Sequence, residues 1–145
     1  MTEHTTTAKR ILIIDDDRFF IKLMYMILSQ EGYEVLTASQ GKDAIKVLST
    51  EVVDLIVVDL MMPEMDGIEF LHWLRQEAKL TTPTLVQTGM ATASTEDEVM
   101  GAGATALIYK PLKAPDLVAK IKEMEFKSVI CTHLLEHVEN KEEVA

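Results

Sequence analysis

The chain has 145 residues and a formal net charge of −10, and this length predicts a single domain with one core. The charge argues against direct binding of nucleic acid, because neutralising phosphates requires clusters of Lys and Arg that the sequence lacks. The single cysteine, Cys131, excludes an intramolecular disulfide, and no apolar run approaches the ~20 residues that span a bilayer. Residues 1–8 are polar and lack the apolar segment of a signal peptide, so we expect a disordered tail and a cytoplasmic protein.

Short apolar runs alternate along the chain with patterns of helical period. The predicted strands are residues 10–14, 33–38, 55–59, 84–88 and 106–109. The predicted helices are residues 18–30, 42–48 and 68–78, a fourth that begins near Ser94, and a last one from about Pro115. In the first helix, the residues at core-facing spacing are Phe20, Leu23, Met24, Ile27 and Leu28. A capping box of Ser94 with Asp97, or of Thr95 with Glu98, is predicted to open the fourth. This alternation predicts an α/β fold, a doubly wound parallel sheet with helices on both faces.

The third predicted strand ends on a carboxylate, Asp59. Leu55 to Val58 is short, apolar and rich in β-branched residues, as expected of a strand buried on both faces. Open α/β sheets bind ligands at the carboxyl ends of their strands, and Pro63 and Gly67 then turn the chain towards the next helix. Asp59 is therefore the predicted reactive residue, although a strand-end aspartate can also be merely solvated.

Three acids, Asp15, Asp16 and Asp17, follow the first strand. Either Asp16 or Asp17 can cap the next helix, but capping needs only one of them. If the first and third strands are neighbours, Asp15, Asp16 and Asp59 gather within roughly 5 Å, and each ionised pair repels by about 3 kcal/mol at an effective dielectric of ~20. Such a cluster needs a cation, and oxygen ligands without Cys or His favour Mg²⁺ or Mn²⁺ over zinc.

Two further residues extend this predicted site. Lys110 ends the fifth strand and can reach back about 6 Å as a point charge towards a phosphoryl group on Asp59. Thr88 ends the fourth strand and offers a hydroxyl, and Gly89 after it leaves the backbone open to close approach. A carboxylate nucleophile, a metal ion, a cation and a hydroxyl are the parts that phosphoryl transfer to aspartate requires.

Four segments, I-L-I-I-D-D-D, D-L-I-V-V-D-L-M-M-P-E-M-D-G, L-V-Q-T-G and Y-K-P, resemble the receiver domain of two-component response regulators in order and spacing, over about residues 9–125. The resemblance implies a flavodoxin-like sheet of strand order 2-1-3-4-5. It also implies that Asp59 accepts a phosphoryl group from the phosphohistidine of a histidine kinase or phosphotransfer protein. The chain would then be no enzyme beyond catalysing its own phosphorylation and dephosphorylation.

The same resemblance implies individual roles for the site residues. Asp16, Asp59 and the Met61 carbonyl would bind Mg²⁺ (or Mn²⁺) directly, with Asp15 acting through water, while Thr88, the Gly89 amide and Lys110 would bind phosphoryl oxygens. One departure concerns the output, because receiver domains often carry Tyr or Phe three residues before the lysine, and Leu107 stands there. Tyr109 lies on the same strand face, and we hypothesise that it contributes to the output surface instead, the alternative being a rim tyrosine without coupling.

Beyond the resemblance, residues 126–145 are predicted to extend the last helix up to an acidic end. Along the whole last helix, apolar residues follow alternating spacings of four and three, with Ser128 filling one gap, namely Leu117, Ile121, Met124, Cys131, Leu135 and Val138. Such a stripe can fold back on the domain, dock a partner helix or pair with a second chain, and we favour a homodimer. No output domain follows in the sequence, so we expect a stand-alone regulator that signals through a phosphorylation-sensitive surface to an unknown output protein.

Three alternative functions fit the sequence less well. A Mg²⁺-dependent phosphatase of the haloacid dehalogenase type also uses an aspartate after a strand, but Phe19 stands where its D-x-D-x-T pattern needs Thr. A degenerate receiver acting as a constitutive binding module is disfavoured because every site residue type is present. A flavodoxin-type FMN carrier is disfavoured because Asp15 to Asp17 would repel the cofactor phosphate.

Overall fold

The computed structural model describes residues 8–89, 93–110 and 113–124. The chain divides into two compact units, Met1–Leu112 and Lys113–Ala145. Most of the predicted N-terminal tail and the whole of the predicted extension over residues 126–145 lie outside the described residues. Of the proposed dimer stripe, Leu117, Ile121 and Met124 are described, and all three are buried in the single chain. Among the helices that are described, none is long and apolar enough to cross a membrane.

Five parallel strands form the sheet of the first unit. They are β1 (Arg10–Ile14), β2 (Glu34–Ala38), β3 (Leu55–Asp59), β4 (Thr84–Thr88) and β5 (Ala106–Tyr109). Their order is β2-β1-β3-β4-β5, as the resemblance implied. Every residue of β3 and β4 is buried, because both strands are flanked on each side and covered on each face.

Helices connect the strands, and their bounds agree closely with the predicted ones. They are α1 (Arg18–Gln30), α2 (Gly41–Thr50), α3 (Gly67–His72), α4 (Ala93–Gly101) and α5, which is described over residues 114–124. The predicted capping box was wrong, because α4 already includes Ala93 and therefore places Ser94 and Thr95 inside the helix. Helix α3 continues as a π-helical segment, Trp73–Glu77, in which the Ala78 N–H donates to the Trp73 carbonyl at 2.9 Å.

The end of β3 is held close to the start of α3 by a glycine. A Cβ at Gly67 would lie 2.9 Å from the Cα of Leu60 and 3.0 Å from the carbonyl oxygen of Asp59. The Gly67 N–H donates to the Leu60 carbonyl at 2.9 Å. A larger residue at position 67 would therefore push α3 away from the strand end that carries Asp59.

The two sheet faces differ in what covers them. On one face, alternate residues such as Leu12, Val58 and Val86 join a buried cluster with α2, α3 and α4. The opposite face carries Asp15, Asp59 and Lys110 at its carboxyl edge, because side chains alternate along each strand. Helix α1 contributes two buried residues, Met24 and Leu28. Leu23, which was predicted to face the core with them, is 39% exposed, so that prediction was wrong.

One polar side chain, Gln87, is buried in the middle of this fold. It lies on β4, between Asp59 of β3 and Ile108 of β5 in the sheet register, and is 1% exposed. Its amide nitrogen has no hydrogen-bond partner in the part of the chain that the structure describes. A buried donor without a partner costs roughly 1–3 kcal/mol of stability.

We therefore expect Gln87→Met to raise the free energy of unfolding by about 1 kcal/mol, because it keeps the volume of the side chain and removes the unpaired amide. Urea denaturation followed by circular dichroism measures this change. The control is Gln30→Met at the exposed end of α1, which should leave stability unchanged. A loss of stability in Gln87→Met would show that the amide is paired in solution.

Candidate functional site

Three carboxylates meet at the carboxyl edge of the sheet. Ile14 of β1 pairs with Val58 of β3, so the residues that follow them, Asp15 and Asp59, end neighbouring strands. Oxygens of Asp15, Asp16 and Asp59 all lie within 4.8 Å of one another. Asp15 and Asp59 are buried, whereas Asp16 is exposed. The predicted convergence of the three acids is confirmed, because β1 and β3 are adjacent.

The third acid of the run, Asp17, has a structural role. Its Oδ1 accepts hydrogen bonds from the N–H groups of Phe19 at 3.0 Å and Phe20 at 3.2 Å, which caps α1. The Asp17 N–H in turn donates to Oδ1 of Asp15 at 2.9 Å. The sequence left Asp16 and Asp17 as alternative caps, and the structure assigns the cap to Asp17. Asp16 is thereby left available for other contacts.

Lys110 reaches across the site to two of these acids. Its Nζ lies 3.0 Å from Oδ2 of Asp15 and 3.5 Å from Oδ2 of Asp59. The Lys110 N–H donates to the Thr88 carbonyl at 2.7 Å, which fixes the end of β5 against β4. The predicted reach of Lys110 towards Asp59 is present, but the shorter contact is with Asp15, which the sequence reasoning did not anticipate.

The electrostatics of the site leave negative charge in excess. Burial raises the pKa of Asp59, and the charge of Asp15 raises it further, while Lys110 and the Met61 N–H, which lies 3.4 Å from Oδ1, lower it only in part. Burial acts to lower the pKa of Lys110, but its bonds to Asp15 and Asp59 outweigh burial and raise that pKa. Lys110 is therefore charged at neutral pH, but it compensates only part of the negative charge around Asp59.

The remaining predicted residues surround the end of β3. Thr88 is fully buried at the end of β4, the strand next to Asp59. Gly89 is exposed, and a Cβ there would meet no atom within 4 Å, so its backbone is open to close approach. The Met61 side chain is 64% exposed. The open backbone at Gly89 therefore offers an approach to Asp59 from solvent.

The donor set fits a hard divalent cation. Mg²⁺ binds oxygens at about 2.1 Å, so neighbouring ligand oxygens around one ion are about 3 Å apart and opposite ones about 4 Å. Both oxygens of Asp15 already accept hydrogen bonds, from Asp17 and Lys110. Within the described residues, the carboxylate of Asp16 makes no hydrogen bond or ion pair. This difference favours Asp16 over Asp15 as a direct ligand.

Leu107 and Tyr109 lie where the sequence predicted them, on the last strand before Lys110. Leu107 is half-buried against the core cluster of the α2, α3 and α4 face. Tyr109 is 48% exposed, and its hydroxyl donates to Oε2 of Glu96 on α4 at 3.3 Å. Tyr109 therefore connects the strand that carries Lys110 to the neighbouring helix.

The sequence reasoning missed Phe20 as a site residue. Lys110 Nζ lies 5.2 Å from the centroid of the Phe20 ring, over its face. Phe20 had been assigned only to the apolar face of α1. Its position in the first turn, three residues after Asp17, was the available signal, since the start of α1 directly follows the acids.

Comparison with known proteins identifies the family. Residues 11–122 match the family described as response regulator receiver domain. The alkaline phosphatase synthesis transcriptional regulatory protein PhoP of Bacillus subtilis is 40% identical over 126 residues, which cover 84% of this chain and 50% of that protein. The polar-differentiation response regulator DivK of Brucella abortus is 29% identical over 116 residues, which cover 79% of this chain and 94% of that one.

Solved structures agree with this assignment. The CheY-like response regulator receiver domain protein of Methanospirillum hungatei is 32% identical and has a TM-score of 0.77, covering 84% of this chain and 98% of that one. The chain spans about half the length of PhoP and of the transcriptional regulatory protein CpxR of Klebsiella pneumoniae. Fold, carboxylate cluster and similarity over residues 11–122 lead to one conclusion: the chain belongs to the response regulator receiver domains, the phosphoacceptor modules of two-component signalling.

Proposed function

We propose that the chain accepts a phosphoryl group on Asp59 from the phosphohistidine of a histidine kinase or phosphotransfer protein, in a reaction that requires Mg²⁺ or Mn²⁺. The observation that carries the proposal is the position of Asp59, whose carboxylate lies among the oxygens of Asp15 and Asp16 and 3.5 Å from the Lys110 ammonium. A phosphoryl group bound there would face cationic groups on one side and solvent on the other.

The transfer itself is a substitution at phosphorus. A carboxylate oxygen of Asp59 forms the new P–O bond while the P–N bond of the phosphoimidazole breaks, and the imidazole leaves with the bonding electrons. A metal ion held by Asp16, Asp59 and the Met61 carbonyl, with Asp15 as its outer ligand, would neutralise charge on the phosphoryl oxygens. The chain itself supplies the nucleophile, the metal ligands and the groups that bind the phosphoryl oxygens.

Those binding groups lie on β4 and β5. Lys110 is charged and already within 3.5 Å of Asp59, so a small movement of its flexible stem brings the ammonium onto a phosphoryl oxygen. The Thr88 hydroxyl and the Gly89 N–H are the proposed hydrogen-bond donors. Openness around Gly89 supports its role, because a backbone donor needs room for the ligand at its own position.

A docking surface for the phosphodonor lies beside the site, on α1. Phe19, Leu23 and Met26 are exposed by 77%, 39% and 60% and recur at helical spacing, so they form one apolar stripe, here called the α1 stripe. It begins two residues after Asp17, next to the acids. We propose that a helix of the phosphodonor packs on the α1 stripe and so brings its phosphohistidine to Asp59.

The assignment of Asp59 and its ligands is tested by intact mass spectrometry after treatment with acetyl phosphate and Mg²⁺. The wild-type chain should gain one phosphoryl group and Asp59→Asn none. Asp16→Asn should react far more slowly, because a direct metal ligand is lost. Asp17→Asn is the matched control and should react normally, since asparagine caps a helix as well as aspartate does.

Thermal unfolding of the same variants tests the metal independently of phosphorylation. Without divalent ions, Asp59→Asn should exceed the wild type in free energy of unfolding by about 1 kcal/mol or more, because a repelling buried carboxylate is removed. Mg²⁺ should raise the melting temperature of the wild type and of Asp17→Asn but not of Asp16→Asn. Phosphorylation in EDTA, or equal melting shifts in all variants, would contradict the proposal.

The α1 stripe is tested by comparing two phosphodonors. Leu23→Glu places a charge in the stripe and should strongly slow phosphotransfer from autophosphorylated histidine kinases, while leaving phosphorylation by acetyl phosphate unchanged. Val52→Glu, at an equally apolar but remote position that is 80% exposed, is the control. Should Leu23→Glu accept phosphate from every kinase of a panel at the wild-type rate, the stripe is not the docking surface.

We further propose that Tyr109 contributes to a phosphorylation-sensitive output surface, supported by its exposure and its bond to Glu96. Phosphorylation with acetyl phosphate should shift the NMR signals of the Tyr109 ring, because Lys110 moves next to it. Tyr25, which is 51% exposed on α1, is the internal control and should show no shift. Unchanged Tyr109 signals in the phosphorylated chain would make it a rim tyrosine without coupling.

A further inference from the structure

The aromatic ring of Phe20 contacts the ammonium of Lys110 at the reactive site. Lys110 Nζ lies 5.2 Å from the centroid of the ring, 3.0 Å from Asp15 and 3.5 Å from Asp59. The ammonium therefore lies between two carboxylates and the face of a half-buried ring. The face of an aromatic ring attracts a cation within about 6 Å, and more strongly where water is excluded.

The backbone that carries Phe20 is anchored at the start of α1. Asp17 caps the Phe20 N–H at 3.2 Å, so the first turn of α1 is fixed next to the acids. Lys110 comes from the far end of β5, 95 residues from Asp15, and has a flexible four-carbon stem. A flexible side chain allows its ammonium to take many positions, and the face of the Phe20 ring limits these positions for Lys110.

We propose that Phe20 is a positioning residue that confines the Lys110 ammonium to the space between Asp15 and Asp59, and so sets the rate at which Asp59 is phosphorylated. To bind a phosphoryl oxygen, Lys110 has to move from Asp15 towards Asp59. The path is short, and the attraction between the ring and the ammonium does not depend on which of the two carboxylates the ammonium contacts. The Phe20 ring can therefore stay in contact with Lys110 during this movement. This inference rests on the proposed phosphoacceptor function and adds one residue to its mechanism.

The first test compares phosphorylation rates with acetyl phosphate and Mg²⁺, measured on the full chain by intact mass spectrometry. Phe20→Leu keeps an apolar side chain but removes the ring, and should lower the rate constant about two- to fivefold. Phe20→Tyr keeps the ring and should remain close to the wild type. Tyr25→Leu, which removes an aromatic ring from a 51% exposed position on the same helix, is the matched control and should have no effect.

A second test asks whether Phe20 acts through Lys110. In a Lys110→Ala background, Phe20→Leu should cause no further loss of rate, whereas a purely structural effect would lower the rate by the same factor in both backgrounds. Equal factors would overturn the proposal. So would a wild-type rate in Phe20→Leu.

Fluorinated phenylalanines at position 20 give a test that does not depend on the fold tolerating Leu. Successive fluorines remove electron density from the ring face with little change in size, so the phosphorylation rate should fall stepwise with their number. A rate independent of fluorination would overturn the proposal. If the wild type is not phosphorylated at all, the phosphoacceptor function itself fails, which distinguishes the two outcomes.

Discussion

The repulsion among Asp15, Asp16 and Asp59 is the constraint on which the rest of the site depends. The sheet brings these acids together because β1 and β3 are neighbours, and burial strengthens the repulsion between Asp15 and Asp59. Lys110 supplies one positive charge against three carboxylates. Burial is the main cause of the raised pKa of Asp59, and the charge of Asp15 raises it further. The shortfall of positive charge makes the site suited to a divalent cation and to a reaction that such a cation promotes.

Lys110 links this charge balance to the surface of the protein. Its ammonium is shared by Asp15 and Asp59, and the residue before it, Tyr109, is bonded to Glu96 of α4. In the proposed mechanism, a movement of Lys110 would first displace the end of β5. Leu107 of that strand packs against the core cluster, so we propose that the exposed Tyr109 is the residue that responds to this movement.

Some features of the site follow the motifs of receiver domains, and others are observed directly in the structure of this chain. The acids, Thr88 and Lys110 follow the family motifs, and the PhoP and DivK proteins share the matched region while differing in how much lies outside it. The structure itself shows three further features: the Phe20 ring over Lys110, the buried amide nitrogen of Gln87 without a described partner, and the apolar α1 stripe. Donor choice and rate are properties that such individual residues can adjust without altering the chemistry.

The sequence by itself determined the elements, because apolar runs punctuated by acids, glycine and proline are local signals. The bounds of α1, β1, β3, β4 and β5 agree with prediction, whereas the exposure of Leu23, the start of α4 and the π-helical turn at Trp73 do not. Strand order came from the family resemblance, since a local pattern carries no information on which strands pair. Tertiary structure alone decided that Asp17 caps α1, that Lys110 binds Asp15 and that Phe20 faces Lys110. The two Lys110 contacts join residues about 90 apart in the chain, so only folding brings these groups together. The sequence near α1 offers both Asp16 and Asp17 as caps, and the folded chain uses Asp17.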